Sequence, residues 1–271
     1  MSKCKEAVRR NLVWLMCFGI LSCGTGTSKM IPATSTQTLE TDSGAPFGTG
    51  CQQTFENNWQ AGLSHVWAEC SRWNSRFSAV ADFKWYYNLN GGKGWWQQPS
   101  GYGNNLDTVN FFYGNTHGGA FNGTAAYAMW NQNSLAYTSS MRLGNNLDVL
   151  STSACQTLKA DNQIVSRWLP VMRGGLRYVT GSYNTIYDSW WTEGAGESFA
   201  NNMAHAHSIR SSWFDGFWNL FIKNDVAVMT VGSNSSECFN RLGNMTAQNR
   251  LGFPRRKDGA IGYMCWTTHH E

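Results

Sequence analysis

Charge is scarce in this 271-residue chain. Asp, Glu, Lys and Arg together make up 14% of it, no more than the aromatic residues do. So little charge beside 14 Trp and 28 Gly excludes a disordered, self-repelling polymer and describes a globular protein rich in loops and aromatic surfaces. The formal charge of +4 is mostly a property of the first 22 residues, where Lys3, Lys5, Arg9 and Arg10 outnumber Glu6. The remainder is nearly neutral and has no basic patch interleaved with aromatics, which speaks against nucleic acid as a partner. The apolar run 12–21 is too short to span a bilayer comfortably. The length suffices for one large domain or two small ones with a buried core.

A basic start followed by that short apolar run has the layout of a secretory signal. It ends Leu21-Ser22-Cys23-Gly24, which resembles a bacterial lipobox, with Cys23 as the lipid-bearing residue and Gly24 in the pattern of outer-membrane lipoproteins. An ordinary signal with an incidental Cys is the alternative. The expected organisation is a lipoprotein signal peptide over 1–22, a flexible tether rich in Thr, Ser, Gly and Pro over 23–50, and a folded domain over 51–271. The membrane is then a partner through the N-terminal lipid.

With Cys4, Cys17 and Cys23 assigned to the leader and its lipid, five cysteines remain. An exported protein normally pairs them, and an odd one marks a free thiol. The simplest partition is Cys51 with Cys70 and Cys238 with Cys265, although four cysteines permit three pairings. Cys155 is left over.

Two stretches share one word. Gly103-Asn104-Asn105-Leu106-Asp107 leads through an apolar segment to His117-Gly118-Gly119, and Gly144-Asn145-Asn146-Leu147-Asp148 leads through another to Ala154-Cys155-Gln156. Each reads as a turn, an acidic strand entrance, a strand, and then one chemically able residue among small neighbours. Two parallel strands of one sheet would bring His117 and Cys155 to a shared edge, where functional residues of parallel sheets collect. A thiol attacks as thiolate and needs an imidazole beside it. Backbone N–H groups of Gly118 and Cys155 are the natural oxyanion donors.

Elsewhere, Phe55, Trp59, Leu63, Val66 and Trp67 predict a helix within 51–73, and loose alternation predicts a strand within 75–90. The Gly- and Trp-rich loop 91–103 either stacks on a ligand or caps the core. Residues 120–143 show no strong period and serve as the crossover. A helix capped by Asp161-Asn162 and ending near Pro170 or Gly174-Gly175, a strand over 176–183, helices from Glu197 and around Trp213, and a strand over 226–231 follow. Residues 232–271 read as loop tied down by Cys238 and Cys265. Alternating strands and helices indicate an α/β fold with a mostly parallel sheet. His205-Ala206-His207 and His269-His270-Glu271 hold metal-ligand types, but their spacing and a terminal, mobile position argue against a zinc site. No cofactor or metal is expected.

A strand ending in Asn115-Thr116-His117-Gly118-Gly119 and a later one ending in Ser151-Thr152-Ser153-Ala154-Cys155-Gln156 resemble the caspase/legumain/gingipain superfamily of cysteine peptidases. The resemblance covers about 108–232 and is closest to bacterial secreted members. It implies a caspase-like α/β/α sandwich, Cys155 as the nucleophile forming an acyl-enzyme, and His117 as proton acceptor and donor. Caspases proper carry Gln-Ala-Cys-x-Gly, and Ser-Ala-Cys-Gln-Thr here leaves an aspartate preference unsupported. The specificity region of such enzymes matches a segment with Asp188, Trp190, Trp191, Glu193 and Glu197, so that an acidic group would receive an Arg or Lys side chain of a peptide or protein substrate. For Glu197, a place in a helix first turn is explanation enough. The competing expectation is a surface-anchored, Trp-rich sugar- or peptide-binding protein with a vestigial site.

Overall fold

The computed structural model describes residues 27–30, 48–54, 63, 69–77, 84–87, 94–97, 106–129 and 134–270. The expected signal peptide, Cys23, and Phe55, Trp59, Val66 and Trp67 of the expected first helix lie outside them. The strands are β1 (Thr27–Met30), β2 (Gly48–Gln53), β3 (Lys84–Tyr87), β4 (Phe111–Asn115), β5 (Gly118–Phe121), β6 (Thr124–Ala128), β7 (Leu135–Tyr137), β8 (Val149–Ser153), β9 (Tyr178–Ser182), β10 (Asp225–Gly232) and β11 (Tyr263–His270). The helices are α1 (Glu69–Phe77), α2 (Gly94–Gln97), α3 (Ile164–Met172), α4 (Ala195–Ala204), α5 (Ile209–Phe217) and α6 (Ser235–Asn244).

The main sheet has eight strands in the order β1-β11-β10-β9-β8-β4-β2-β3. Its β3-β2-β4-β8-β9 portion is parallel, and β10, β11 and β1 extend it antiparallel. The α/β expectation with a largely parallel centre holds. Buried side chains alternate along each strand and build two cores. Phe112, Leu150, Val179 and Met229 pack with Trp168 and Val171 of α3 on one face. Phe111, Tyr113, Val149 and Val228 pack on the other with Trp73 of α1, Phe199 of α4, Trp213 of α5 and Leu242 of α6. Helices therefore cover both faces, which a buried parallel sheet requires.

Several local expectations change. Cys51–Gln53, at the start of the 51–73 stretch expected to hold a helix, lie in β2, and their side chains alternate. Cys51 bonds to Cys70 and Thr49 accepts from the Trp73 indole at 2.7 Å on one face, while Gln52 accepts from the Trp96 indole at 3.0 Å on the other. Phe77 ends α1 and meets Trp73 one turn earlier, leaving the strand to Lys84–Tyr87. Part of the expected tether, Thr27–Met30, pairs with β11. Residues 118–121, 124–128 and 135–137 form a second sheet, β5-β6-β7, within the stretch expected as a crossover. Its Tyr127 packs against Trp96 at 4.7 Å, so that Trp of the 91–103 loop caps the core. The helix α3 runs through Pro170 to Met172, with Asp161 accepting the Gln163 N–H at its start. The expected C-terminal loop contains α6 and the edge-to-centre strand β11. In α6, Asn234 caps the Glu237 N–H while Glu237 reaches back to the Ser233 N–H, a reciprocal cap. The His269-His270 pair is part of β11, not a mobile tail. His269 stacks on Phe214, and His270 meets Asp225 at 2.5 Å.

Two disulfides, Cys51–Cys70 and Cys238–Cys265, join sheet to helix, and Cys155 is a free thiol. Such bonds point to an oxidising, exported environment.

Candidate functional site

β4 and β8 are hydrogen-bonded parallel neighbours. Phe111 pairs with Val149 and Asn115 with Ser153, and the Thr116 N–H donates to the Ser153 carbonyl at 3.2 Å. His117 and Cys155 stand two residues past the last of these pairs, at equal offsets and on one sheet edge. The two GNNLD words are further apart in sequence than the paired residues, so the echo itself is not a register. Its halves do different work. Asp107 accepts N–H groups from Gly144, Asn145, Asn146 and Leu147, clamping the second word's turn onto the first word's end. Asp148, fully buried, meets Arg177, Arg250 at 3.0 Å and Arg255 at 2.8 Å. Both carboxylates sit at the strand entrances, opposite the candidate chemistry.

His117 and Cys155 line one cavity of about 170 Å³, whose walls include Glu69, Tyr113, Ser153, Ile186, Asp188 and Thr192. His117 is exposed and Cys155 half-buried. The thiol donates to the Ile186 carbonyl at 3.5 Å, in the loop after β9. A Cβ at Gly118 would come within 2.7 Å of Thr157, 2.9 Å of Ala154 and 3.0 Å of the Cys155 carbonyl. Glycine is what lets the His-bearing and Cys-bearing segments touch. The Ala128 N–H donates to the His117 carbonyl at 2.9 Å, and Gly118 falls opposite Tyr127. Gly118 thus occupies a non-hydrogen-bonded ladder position with its N–H turned away from β6.

Of the expected substrate residues, Asp188 lines this cavity and three do not. Glu193 is held by Arg72 at 2.7 Å. Trp190 and Trp191 pack on each other, tilted, with centroids 3.7 Å apart, and turn to solvent. Glu197 accepts from Arg76 Nε at 2.8 Å.

The residue that sequence reasoning missed is Glu69. It begins α1 next to Cys70, whose disulfide fixes it to β2, and it is buried in the cavity wall. Its Oε1 accepts the Gly194 N–H at 2.8 Å, and Oε2 lies beside Gly196 and Tyr113, where a Cβ on Gly196 would collide with it. Burial raises its pKa to about 7, against the lowering effects of the Gly194 N–H and the Arg72 charge. Burial, then the neighbouring Glu69, lifts the Tyr113 phenol well above its ordinary value, so it stays protonated. The one available signal was a Glu immediately before a disulfide Cys. Among the described residues, no three His, Cys, Asp or Glu side chains converge as metal ligands would.

Fold and site together define a disulfide-bonded α/β protein that presents a thiol and an imidazole at adjoining strand ends. The chain belongs to the family described as a domain of unknown function, DUF6345, which matches residues 51–246 and so spans both His117 and Cys155. No curated protein sequence matches it.

Proposed function

We propose that this protein is a lipid-anchored cysteine endopeptidase of caspase-like design. One observation carries the reading: His117 and Cys155 extend two residues beyond paired parallel strands and wall the same cavity. In the proposed reaction the Cys155 thiolate adds to the scissile carbonyl carbon, its proton having passed to His117. The tetrahedral oxyanion is met by the Gly118 and Cys155 N–H groups. The imidazolium then protonates the departing amine, leaving a thioester that water hydrolyses.

A basic substrate side chain suits the acidic wall. Asp188 and Glu69 line the cavity and Glu193 does not, which assigns that role to the first two. A cation arriving beside Glu69 favours its ionised form, so binding of a basic peptide releases a proton near neutral pH. Replacing Asp188 with Ala while cleavage after Arg and Lys continued unchanged would remove Asp188 from this assignment.

The rival reading, a Trp-rich sugar- or peptide-binding protein with a vestigial site, draws on Trp190 and Trp191 lying outside the cavity and exposed. Iodoacetamide separates the two. An activated thiol is alkylated with a rate that follows its ionisation and drops about tenfold or more in His117→Ala. Equal, slow alkylation of both proteins favours the binder.

A further inference from the structure

Two loops at the sheet edge that carries the cavity expose large apolar side chains. Trp190 is 62% exposed, Trp218 59%, Leu220 74% and Phe221 68%. They form one surface. Trp190 packs against Trp191, Trp191 meets Phe221 at 4.4 Å, and the Asn219 side chain donates to the Trp191 carbonyl at 2.6 Å. Among the described residues, Trp190, Trp218, Leu220 and Phe221 are the most exposed of the large apolar side chains. Contiguous exposed apolar surface of this kind marks a contact site. Trp with adjacent aliphatic and basic groups is the composition of the membrane–water interface, and exposed Lys223 lies two residues beyond Phe221.

The sheet says which side of the molecule this is. β11 is antiparallel to β10, with His270 opposite Asp225, and β1 is antiparallel to β11, with Thr27 opposite Trp266. The chain therefore enters β1 from the edge where β11 ends and β10 begins. That is the edge of the 218–222 loop just ahead of β10 and of the 184–194 loop just after β9. Three residues lie between Cys23 and Thr27, four Cα steps that reach at most about 14 Å.

We infer that Trp190, Trp218, Leu220 and Phe221 form a membrane-seating patch that dips into the bilayer interface beside the N-terminal anchor, holding the cavity edge toward the lipid. The inference leans on the anchor part of the proposed function and not on the thiol chemistry. A lipid tether alone leaves the domain free to tumble; a second, protein-borne contact fixes its orientation.

The test places the full chain, purified from the membrane fraction of expressing cells, on vesicles of phosphatidylethanolamine and phosphatidylglycerol with brominated acyl chains. Intact mass reads whether Cys23 carries lipid; tryptophan quenching reads the patch. Quenching that is largely lost in Trp190→Phe/Trp191→Phe/Trp218→Phe, with vesicle attachment retained, is the expected result. The Phe replacements keep the patch apolar and leave buried residues untouched. Quenching equal in wild type and variant, or attachment without quenching, overturns the inference. So does a patch that ignores lipid and instead shifts its tryptophan emission on adding peptides or oligosaccharides. An unlipidated Cys23 with quenching intact refutes the anchor alone and leaves the patch standing.

Discussion

Gly118 is the residue on which the two site segments meet. A methyl group there lands 2.7–3.0 Å from Thr157, Ala154 and the Cys155 carbonyl. Gly118→Ala is expected to lose about 1–3 kcal/mol of stability by overpacking, and to slow thiol alkylation by moving His117 from Cys155. Denaturant titration and alkylation of the same preparation check both. Glu69 makes a pH prediction. Its pKa is about 7 in the folded protein against an ordinary 4.5. Between those values the folded state keeps a proton that the unfolded chain has released, so Glu69's contribution falls as pH rises through that window. The full effect is on the order of 3 kcal/mol, and Glu69→Gln should flatten that part of the stability–pH curve. A curve that keeps its slope in Glu69→Gln assigns it elsewhere. That His117 and Cys155 follow neighbouring parallel strands, and that Cys155 is unpaired, was legible in the sequence because strand ends and a cysteine count need no tertiary information. Glu69 was not, since a lone Glu takes its meaning from Gly194 and Tyr113, far away in sequence. For the same reason Glu193 looked available when Arg72 already holds it.

Among the elements, the turn that the second repeated word makes just ahead of β8 depends on Asp107, which accepts four backbone N–H groups. Asp107→Ala strands these donors and is expected to cost about 3 kcal/mol, seen as a lowered denaturation midpoint. Asp107→Asn, keeping one acceptor oxygen, should recover part of it. A near-neutral Asp107→Ala would mean water replaces the carboxylate. Sequence periodicity found β8, β9, β10, α3, α4 and α5, whose apolar spacing is strong. It missed β5–β7, because strands of three to five residues rich in Gly and Ala carry too little contrast for alternation to register. β11 was hidden differently: its His-His end reads as a polar tail until Asp225 and Phe214 are seen to receive those rings.

For the molecule as a whole, the Cys51–Cys70 bond joins β2 to the helix that carries Glu69, and Cys238–Cys265 joins α6 to β11. With a sequence separation of 19, the first is worth about 3 kcal/mol in the loop-entropy account. Cys51→Ser/Cys70→Ser should therefore lower the thermal midpoint and also loosen the cavity wall. The central claim concerns that cavity and has a direct test. A peptide library incubated with wild type, Cys155→Ala and His117→Ala should show cleavage by the wild type alone, with basic residues enriched before the cut. Cleavage that persists in Cys155→Ala, or a wild type inert toward every peptide while its thiol alkylates no faster than that of His117→Ala, contradicts it.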